Sequence, residues 1–493
     1  MAQITVSNLT FAYDGSYDTV FEDAAFSADT SWRLGLAGRN GRGKTTLLQI
    51  LLGKLPHEGS VSMSVTPVYF PFTIADPSQL TLFVMQEMAA DEPEWKLRRE
   101  MNLLHVDEDA LYREFNTLSN GEQTKVQLAA LFARDDAYPM VDEPTNHLDM
   151  LGRKQVADYL RSKRGFLLVS HDRAFLNDCV DHILSINRGD ITVCKGNYDS
   201  FAQDMERRNR HELDENERLQ KDMKRLTESA RRTAQWSRSI EKGKHNIDSG
   251  SGQANDKGYI GARSADMMRR SLATVRRQER AAEEKSKLLK NVEKVGELKL
   301  NPLVHPKQVL ADVRDACVQY GDKTICGHVS FTLQRGMRIA LAGANGTGKS
   351  SILRSVCGLS TALKGDVSIA SGMVISYVPQ STEDIRGDLR TFLAERRLDE
   401  TLFKAILRNM DFGREQFEKD LKDLSQGQKK KILLAQSLAK PAHLYVWDEP
   451  LNYIDMMSRS QMEGLLLAAQ PTMLLVEHDR TFLEKVCTEV VEL

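Results

Sequence analysis

One eight-residue pattern, a glycine followed by four residues and then Gly-Lys-Ser/Thr, occurs twice in this chain. Residues 38–45 read GRNGRGKT, and residues 343–350 read GANGTGKS. Glycines let successive backbone N–H groups turn toward an anion, the lysine reaches the phosphates of a nucleotide, and the hydroxyl ligates Mg²⁺. We therefore predict two phosphate-binding loops, whose candidate binding residues are Gly38, Asn40, Gly41, Gly43, Lys44, Thr45 and Thr46 in the first and Gly343, Asn345, Gly346, Gly348, Lys349, Ser350 and Ser351 in the second.

Each loop stands between a strand pattern and a helix pattern. Residues 32–37 and 337–342 are mostly apolar and precede the loops, and apolar runs with helical spacing follow them. Strand, loop and helix in this order are the context that a phosphate-binding loop requires. Because loop and context recur 305 residues apart, we predict an α/β protein made of two copies of one nucleotide-binding unit.

Further segments recur in the same order at offsets of 306 or 307 residues. A Leu-Ser-x-Gly segment at residues 118–121 is matched by one at residues 424–427. A buried parallel strand carries polar residues to its carboxyl end, where ligands of open α/β sheets bind. Such apolar runs lead to an Asp-Glu pair and, further on, to a histidine, which are Asp142, Glu143 and His171 in the first unit and Asp448, Glu449 and His478 in the second.

These polar residues are suited to the hydrolysis of a nucleoside triphosphate. In each unit the loop hydroxyl and the aspartate can hold Mg²⁺, and the glutamate can polarise an attacking water. A lone histidine is more often structural, but two histidines at matching positions favour contact with the γ-phosphate. The candidate catalytic residues are Glu143, Glu449, His171 and His478, and the candidate metal ligands are Thr45, Asp142, Ser350 and Asp448.

Aromatic residues precede each loop. Tyr13 or Tyr17 lies far enough ahead of the first loop to fold back and stack on a nucleotide base. Tyr320 is the candidate for the same position in the second unit. An aromatic ring packed on the edge of a sheet explains the same pattern, and the sequence does not choose between the two.

Composition sets limits on the class of protein. The 493 residues include 67 basic and 69 acidic residues, so the overall charge indicates no partner. The six cysteines form no close pair, which favours a reducing compartment over disulfides or a zinc site. The N-terminus lacks the pattern of a signal peptide, and no apolar run is long enough to span a bilayer. We expect a soluble, cytoplasmic protein without a membrane partner.

The middle of the chain resembles neither unit. Residues 204–240 and 262–295 are charged and favour helices, and glycines cluster between them. We predict a helical-hairpin linker at residues 204–304, with its tip near residues 241–262, between units at 1–203 and 305–493. From residue 220 to 290, basic residues outnumber acidic ones by two to one, which favours a nucleic acid as partner. A solvated coiled-coil spacer is the alternative.

The repeated motifs resemble the Walker A, signature, Walker B and switch elements of the ATP-binding-cassette (ABC) ATPases, over nearly all of both units. In that family, two units face each other head to tail, and each ATP lies between the Walker A loop of one unit and the signature of the other. The resemblance implies that Ser425 and Gly427 complete the first site and that Ser119 and Gly121 complete the second. A serine hydroxyl and glycine N–H groups at a helix start suit that role.

The resemblance has one departure at the early strand. The family has a glutamine there that serves Mg²⁺ and the attacking water, and the second unit has Gln380 at this position. The first unit has Phe72, which can do neither. We therefore expect the two sites to differ.

Within the family, the chain is similar to the ABC-F group. The features that indicate this group are two ABC units in one chain, a long charged linker, the segment DEPTNHLD at residues 142–149 and the segment KGNY at residues 195–198. The segment DEPLNY at residues 448–453 and the glycine-rich tip are most like those of antibiotic-resistance members of the Lsa and Vga type.

The Lsa and Vga resemblance implies binding to the ribosome at the tRNA exit site, with the linker tip directed toward 23S rRNA of the peptidyl-transferase centre and toward P-site tRNA. It implies relief of inhibition by lincosamides, pleuromutilins and streptogramin A compounds, driven by ATP and Mg²⁺. The chain is expected to act as a monomer with intramolecular pairing of its ABC units and to end without a C-terminal extension. A housekeeping translation factor and the ATPase subunit of a membrane transporter are the alternatives.

Overall fold

The computed structural model describes residues 3–13, 19–39, 41–146, 148–187, 190–245, 273, 276–277, 280, 298–320, 323–360 and 362–493. The chain forms two compact units, Met1–Phe201 with Gly296–Leu493, and Ala202–Val295. The first of these contains both phosphate-binding loops, and we refer to its two parts as the first half and the second half. The domain boundaries after residues 203 and 304 remain predictions.

The first half contains a mostly parallel sheet and a smaller antiparallel sheet. In chain order its elements are β1 (Gln3–Ala12), β2 (Thr19–Asp29), β3 (Arg33–Ala37), α1 (Lys44–Leu51), β4 (Glu58–Met63), β5 (Thr66–Phe70), α2 (Thr81–Met88), α3 (Glu94–Leu103), α4 (Asn120–Ala133), β6 (Ala137–Asp142), α5 (Met150–Ser162), β7 (Phe166–Val169), α6 (Arg173–Cys179), β8 (His182–Asn187) and β9 (Asp190–Lys195). The large sheet has the order β5-β6-β7-β3-β8-β9, and the small sheet has the order β2-β1-β4. Only the β8-β9 pair of the large sheet is antiparallel.

The second half repeats this plan. Its elements are β10 (Val309–Tyr320), β11 (Lys323–Gln334), β12 (Arg338–Ala342), α8 (Lys349–Val356), β13 (Leu363–Ile369), β14 (Ile375–Val378), α9 (Leu389–Arg396), α10 (Glu400–Asn409), α11 (Gln426–Ala439), β15 (Leu444–Asp448), α12 (Met456–Ala469), β16 (Met473–Val476), α13 (Arg480–Val486) and β17 (Glu489–Glu492). The parallel sheet has the order β14-β15-β16-β12-β17, and the antiparallel sheet has the order β11-β10-β13. The predicted α/β architecture with two tandem nucleotide-binding domains is confirmed.

The parallel sheets are apolar on both faces because each lies between two layers. In β6, Met140 packs toward the small sheet and α1, whereas Val141 packs toward the helices on the opposite face. Leu167 and Leu168 of β7 divide in the same way. Successive residues of a strand point to opposite faces, so a strand buried on both sides needs a continuous apolar run. This is the pattern from which the buried strands were predicted.

The strand order brings the repeated motifs to one edge of each sheet. β3, β7 and β6 are parallel neighbours, so the loop after β3, the carboxylates after β6 and the histidine after β7 arrive together. β12, β16 and β15 do the same in the second half. Pro139 does not prevent this arrangement, because the pairing of β6 with β7 begins at Met140.

The Leu-Ser-x-Gly segments form helix starts. The Ser119 hydroxyl oxygen accepts a hydrogen bond from the Glu122 N–H at 3.2 Å, and the Glu122 carboxylate accepts one from the Ser119 N–H at 2.8 Å. Ser425 and Gln428 repeat this reciprocal pair at the start of α11. A capping box of this kind fixes where a helix begins and which way its free N–H groups point.

The linker begins as one long helix. Helix α7 (Tyr198–His245) has 48 residues, which correspond to a length of about 72 Å. Residues 246–262 of the predicted tip lie outside the described residues. Of the second predicted linker helix the structure describes Ala273, Arg276, Arg277 and Arg280, all helical, so the hairpin itself remains a prediction.

Two expectations from composition can be compared with the structure. All six cysteines are free, as predicted. Among the helices formed by the described residues, none is sufficiently long and apolar to cross a bilayer.

A buried ion pair in the second half yields a stability prediction. Arg459 is 5% exposed, lies 2.9 Å from an Asp479 oxygen, and also donates to the carbonyls of Ile454 and Leu451. We expect Arg459→Met to lower the free energy of unfolding by about 3–5 kcal/mol, because Asp479 would stay buried without its counter-charge. Urea denaturation followed by circular dichroism measures this loss. Arg480→Met, on the exposed side of α13, is the control, and equal losses for both variants would contradict the prediction.

Candidate functional site

The two phosphate-binding loops have the same geometry. Gly43 and Gly348 adopt the left-handed backbone conformation, with φ of 89° and 85°, immediately before helices α1 and α8. A Cβ atom on Gly43 would lie 2.6 Å from Val20 and 2.8 Å from Phe21. Glycine is therefore required there by both conformation and space. The helices begin at the loop lysines, so their free N–H groups and positive dipole ends face the loop.

Each loop encloses its lysine. The Lys44 ammonium donates to the carbonyls of Gly38 and Arg39 at 2.7 and 3.2 Å. The Lys349 ammonium donates to the carbonyls of Gly343 and Ala344 at 2.8 and 2.7 Å. Both side chains are buried, which places one positive charge at the centre of each cradle.

Each lysine also interacts electrostatically with an aspartate of the opposite half. Burial lowers the pKa of Lys44 to about 8, and the strongest opposing attraction comes from Asp455 of the second half. Burial likewise lowers the pKa of Lys349, opposed by Glu449 and by Asp149 of the first half. Each aspartate caps the helix that follows its Asp-Glu segment. Asp411 of the second half lies 3.3 Å from Arg39 of the first loop, and the second loop lines a cavity together with residues of the first half. Each loop therefore faces the other half, as the head-to-tail resemblance implies.

The aspartates at the strand ends lie in poorly solvated positions. Burial raises the pKa of Asp142, and it raises the pKa of Asp448 to about 6. Asp142 accepts a hydrogen bond from the Tyr69 hydroxyl at 2.8 Å, whereas Asp448 is hydrogen-bonded to the loop residue Ser350. The Oδ1 atom of Asp448 is buried without a hydrogen-bond partner among the described residues. A carboxylate and a hydroxyl meeting at a buried point are suited to a hard cation.

The glutamates that follow adopt a conformation uncommon for their residue type. Glu143 and Glu449 have φ of 50° and 46°. Their N–H groups donate to the carbonyls of Val169 and Val476, each at 2.9 Å. Left-handed backbone at a residue with a long side chain costs about 1–3 kcal/mol and occurs preferentially at functional sites.

Each glutamate stands beside the histidine of its own half. Oε1 of Glu143 is 3.6 Å from Nε2 of His171, and Oε1 of Glu449 is 3.5 Å from Nε2 of His478. Burial, with the nearby Lys44 and Arg459 charges, holds the pKa of His171 well below its usual range. The first-half histidine is therefore neutral at physiological pH and can donate a hydrogen bond from only one ring nitrogen.

The surroundings of the two glutamates differ. Glu449 accepts hydrogen bonds from the Gln380 amide at 2.8 Å and from the Asn452 amide at 2.7 Å. Burial opposes its ionisation, but the hydrogen bonds from His478 and Gln380 outweigh burial and lower the pKa of Glu449 to about 2.

Glu143 has no glutamine equivalent to Gln380 to donate a hydrogen bond to it. Phe72 occupies the position of Gln380 and packs against the core of the first half. Burial and the neighbouring Asp142 charge raise the pKa of Glu143 above its ordinary value. Among the described residues, its Oε1 atom has no hydrogen-bond partner.

The second loop and the first signature segment line one cavity of about 750 Å³. Ser119, Asn120 and Gly121 of the first half and Gln380, Glu449 and His478 of the second half line the cavity. The loop residues that line the cavity are Ala344, Asn345, Gly346, Gly348, Lys349, Ser350 and Ser351. We call this arrangement the second site, and the first loop with Ser425 and Gly427 the first site.

The structure describes some of the other residues predicted to bind the nucleotide and leaves others outside its described range. The Tyr13 hydroxyl lies 2.8 Å from the Thr46 hydroxyl, and its half-exposed ring stands edge-to-face against Phe11. Thr45 is exposed at the start of α1. Asn40 and Tyr17 lie outside the described residues, as does the side chain of Tyr320.

Several residues of the site were not selected from the sequence. Asp149 and Asp455 face the lysines of the opposite half, and Asn452 holds Glu449. The buried Lys430 of α11 donates to the carbonyls of Pro379, Gln380 and Asp448 and so ties the signature helix to the strand ends. The recurrence of Asp149 and Asp455 in both halves was the available signal.

Comparison with known proteins identifies the family of this chain. A sequence profile of the family described as ABC transporter matches residues 21–146 and 326–452. The "Ribosome protection protein VmlR" of Bacillus subtilis (strain 168) is 28% identical over 494 residues, which cover 98% of this chain and 85% of that protein. The "Energy-dependent translational throttle protein EttA" of Haemophilus influenzae is 24% identical over 528 residues, which cover 96% of this chain and 89% of that protein.

Among solved structures, the fold is similar to that of the archaeal ribosome recycling factor aABCE1, solved with an archaeal ribosomal stalk protein. The TM-score is 0.64 at 18% identity, over 98% of this chain and 87% of that chain. Because the family profile covers just over half of the residues and both halves carry the same motifs at matching strand ends, this chain belongs to the ABC transporter family, as an ATP-hydrolysing protein of the ABC-F type with two tandem ABC domains.

Proposed function

We propose that this chain is a ribosome-binding ABC-F ATPase that protects the ribosome from antibiotics acting at the peptidyl-transferase centre. The observation that carries the proposal is the second site, in which one cavity is lined by the loop of one half and the signature of the other. A ligand that contacts both walls favours the state in which the halves are together. The similarity to a ribosome protection protein and to a translational throttle protein supports the ribosome as the partner.

In the proposed mechanism, ATP binds between the halves. The loop N–H groups and the lysine hold its phosphates from one side, and the signature serine and glycine hold them from the other. The Lys349 ammonium would exchange loop carbonyls for phosphate oxygens, which gains energy because the group is buried. The aspartate of the opposite half stays close to the same lysine.

Mg²⁺ is the proposed metal cofactor. Its proposed ligands are Thr45 and Asp142 in the first site and Ser350, Asp448 and Gln380 in the second. The buried, unpartnered oxygen of Asp448 beside the Ser350 hydroxyl supports this assignment, because Mg²⁺ prefers oxygen ligands with negative charge. When bound, Mg²⁺ would neutralise the phosphate charge that develops during hydrolysis.

Glu449 is the proposed general base of the second site. It is ionised at neutral pH and is oriented by Gln380 and Asn452, so it can accept a proton from a water that attacks the γ-phosphate. His478 would donate a hydrogen bond to the same phosphate. Glu143 and His171 have the corresponding roles in the first site, but Glu143 lacks the amide that orients its counterpart.

The linker is the proposed contact with RNA. Its excess of lysine and arginine supports contacts with phosphate groups, which are long-ranged and weaken with salt. We propose that closure on ATP fixes the linker against 23S rRNA near the peptidyl-transferase centre and against P-site tRNA, and that hydrolysis releases it.

A housekeeping role in translation, without drug protection, is the second candidate. It is favoured by the similarity to a translational throttle protein over 96% of this chain, at an identity close to that of the ribosome protection protein. The two candidates share the site chemistry and differ only in their effect on drug-inhibited ribosomes.

The role of Gln380 can be tested by replacing it with phenylalanine, the residue that the first half has at this position. In a Glu143→Gln background, which leaves the second site as the hydrolysing one, we expect Gln380→Phe to lower kcat about 100-fold. The reason is that an oriented general base contributes roughly 10²–10⁴-fold. Phosphate release measures the rate, and Phe72→Gln in a Glu449→Gln background is the matched control, for which no loss is expected. An unchanged kcat in the Gln380 variant would remove the assigned role.

Ribosome binding can be tested by blocking hydrolysis in both sites. We expect Glu143→Gln with Glu449→Gln to co-sediment with ribosomes in ATP and to stop translation in a cell-free system, because ATP still joins the halves while water is no longer activated. Lys44→Ala with Lys349→Ala is the control that should not bind. Release of the glutamine variant as rapid as that of the native chain would contradict the proposed cycle.

Drug protection can be tested by expression in a susceptible bacterial strain. We expect the native chain to raise the inhibitory concentration of a lincosamide, a pleuromutilin or a streptogramin A compound at least fourfold, and the Lys44→Ala, Lys349→Ala chain to have no effect. If susceptibility to all three classes stays the same while co-sedimentation holds, the housekeeping role replaces the protective one.

A further inference from the structure

The two ATP sites differ in the contacts that join the halves around them. At the first site, Asp411 of the second half lies 3.3 Å from Nε of Arg39 and 3.8 Å from Nη2 of Arg42. Both arginines belong to the phosphate-binding loop, and Asp411 lies two residues after the end of α10, upstream of the signature. The Arg39 side chain is 14% exposed, whereas the Arg42 and Asp411 side chains are 29% and 32% exposed, so the contacts are partly shielded from water. These contacts therefore join the first loop directly to the second half.

A second set of contacts joins the halves behind the same site. Arg173 follows the switch histidine His171 by two residues, and its guanidinium lies 3.1 Å from Glu463 of α12. It also donates to the Met456 carbonyl at 2.9 Å and to the Ser460 hydroxyl. Its side chain is 11% exposed. Helix α12 begins directly after Asp455, which faces Lys44, so the contact connects both walls of the first site.

The second site does not have the residues for the loop contacts. The positions of Arg39 and Arg42 are occupied by Ala344 and Thr347, which carry no charge. The counterpart of Asp411 is His105, which has the same left-handed conformation after α3. The second site therefore cannot form an ion pair equivalent to that of Arg39 and Arg42 with Asp411.

The second site also lacks the residues for the switch contact. Arg480, the counterpart of Arg173, is 74% exposed and pairs with Glu484 of its own helix. By position in α5, Ala157 and Lys154 replace Glu463 and Ser460, so the acceptor is lost and a like charge is introduced. The cavity of about 750 Å³ lies on this side of the protein.

We propose that Arg39, Arg42 and Arg173 are positioning residues that keep the first site closed on its ATP, so that nucleotide exchange takes place at the second site. The ion pairs to Asp411 and Glu463 hold the second half against the first loop and switch. The second site, joined without them, opens and closes with each round of exchange. Phe72 in place of the orienting Gln380 would slow hydrolysis beside Glu143, which is consistent with a retained nucleotide.

The experiment measures nucleotide release from the purified full-length chain without ribosomes. The protein is loaded with a radiolabelled, non-hydrolysable ATP analogue and Mg²⁺ and is then chased with unlabelled analogue. We expect two release phases of equal amplitude, the slower at least tenfold below the faster. Lys44→Ala should remove the slow phase, and Lys349→Ala should retain it. Release in a single phase, or a slow phase that depends on Lys349, would overturn the proposal.

The positioning residues are tested by removing their charges. Arg39→Ala with Arg42→Thr introduces the residues that the second loop has at these two positions, and Arg173→Ala removes the switch contact. We expect the triple variant to speed the slow phase at least tenfold, equivalent to about 1.4 kcal/mol. Arg480→Ala is the matched control and should leave both phases unchanged. A slow phase that persists in the triple variant would refute the role of these arginines.

Two further measurements keep the test decisive if the triple variant does not fold. Asp411→Asn removes only the shared carboxylate charge and should also speed the slow phase. In the native chain, the slow phase should accelerate with added salt more than the fast phase does, because the contacts are ionic and only partly shielded. A slow phase that responds to neither change would contradict the proposal.

Discussion

The structure depends on charged groups being held away from water at the edges of two parallel sheets. A lysine, two carboxylates and a histidine converge there in each half because neighbouring parallel strands end at the same edge. Burial alone makes such groups costly, and each half offsets part of that cost for the other by presenting an aspartate to the opposite lysine. The electrostatics of each site thus include charges of both halves, and phosphate groups are the ligands that suit the positive charge at the centre of each loop.

Much of this arrangement could be predicted from sequence because the chemistry requires particular residues at particular places. A loop with Gly43 and Lys44 must follow a buried strand, and Asp142 and Glu143 must end another, so spacing and apolar runs are sufficient to locate them. The internal repeat strengthened these predictions, because each motif occurs twice. The tip of the linker and the contacts of Tyr320 stay predictions.

The contacts between the halves could not be predicted in the same way. Arg173 and Arg480 stand in equivalent places behind equivalent histidines, yet one enters the opposite half and the other stays exposed. The reason is that Arg173 meets Glu463 in the opposite half, whereas the equivalent position for Arg480 is Ala157, which cannot accept a hydrogen bond through its side chain. These positions matter to the arginines only when the halves pack together. Such residues follow from tertiary contacts and not from local pattern.

Carrying both halves on a single polypeptide has an evolutionary consequence. Two identical ABC subunits would assemble about a two-fold axis, and any cation placed on the loop would then appear at both interfaces together with its acceptor. In a single chain the two halves can have different residues at equivalent positions. Asp411 can therefore be an acidic residue while its counterpart is His105. Substitutions at such positions can therefore make the two sites different, while the fold and its motifs stay the same.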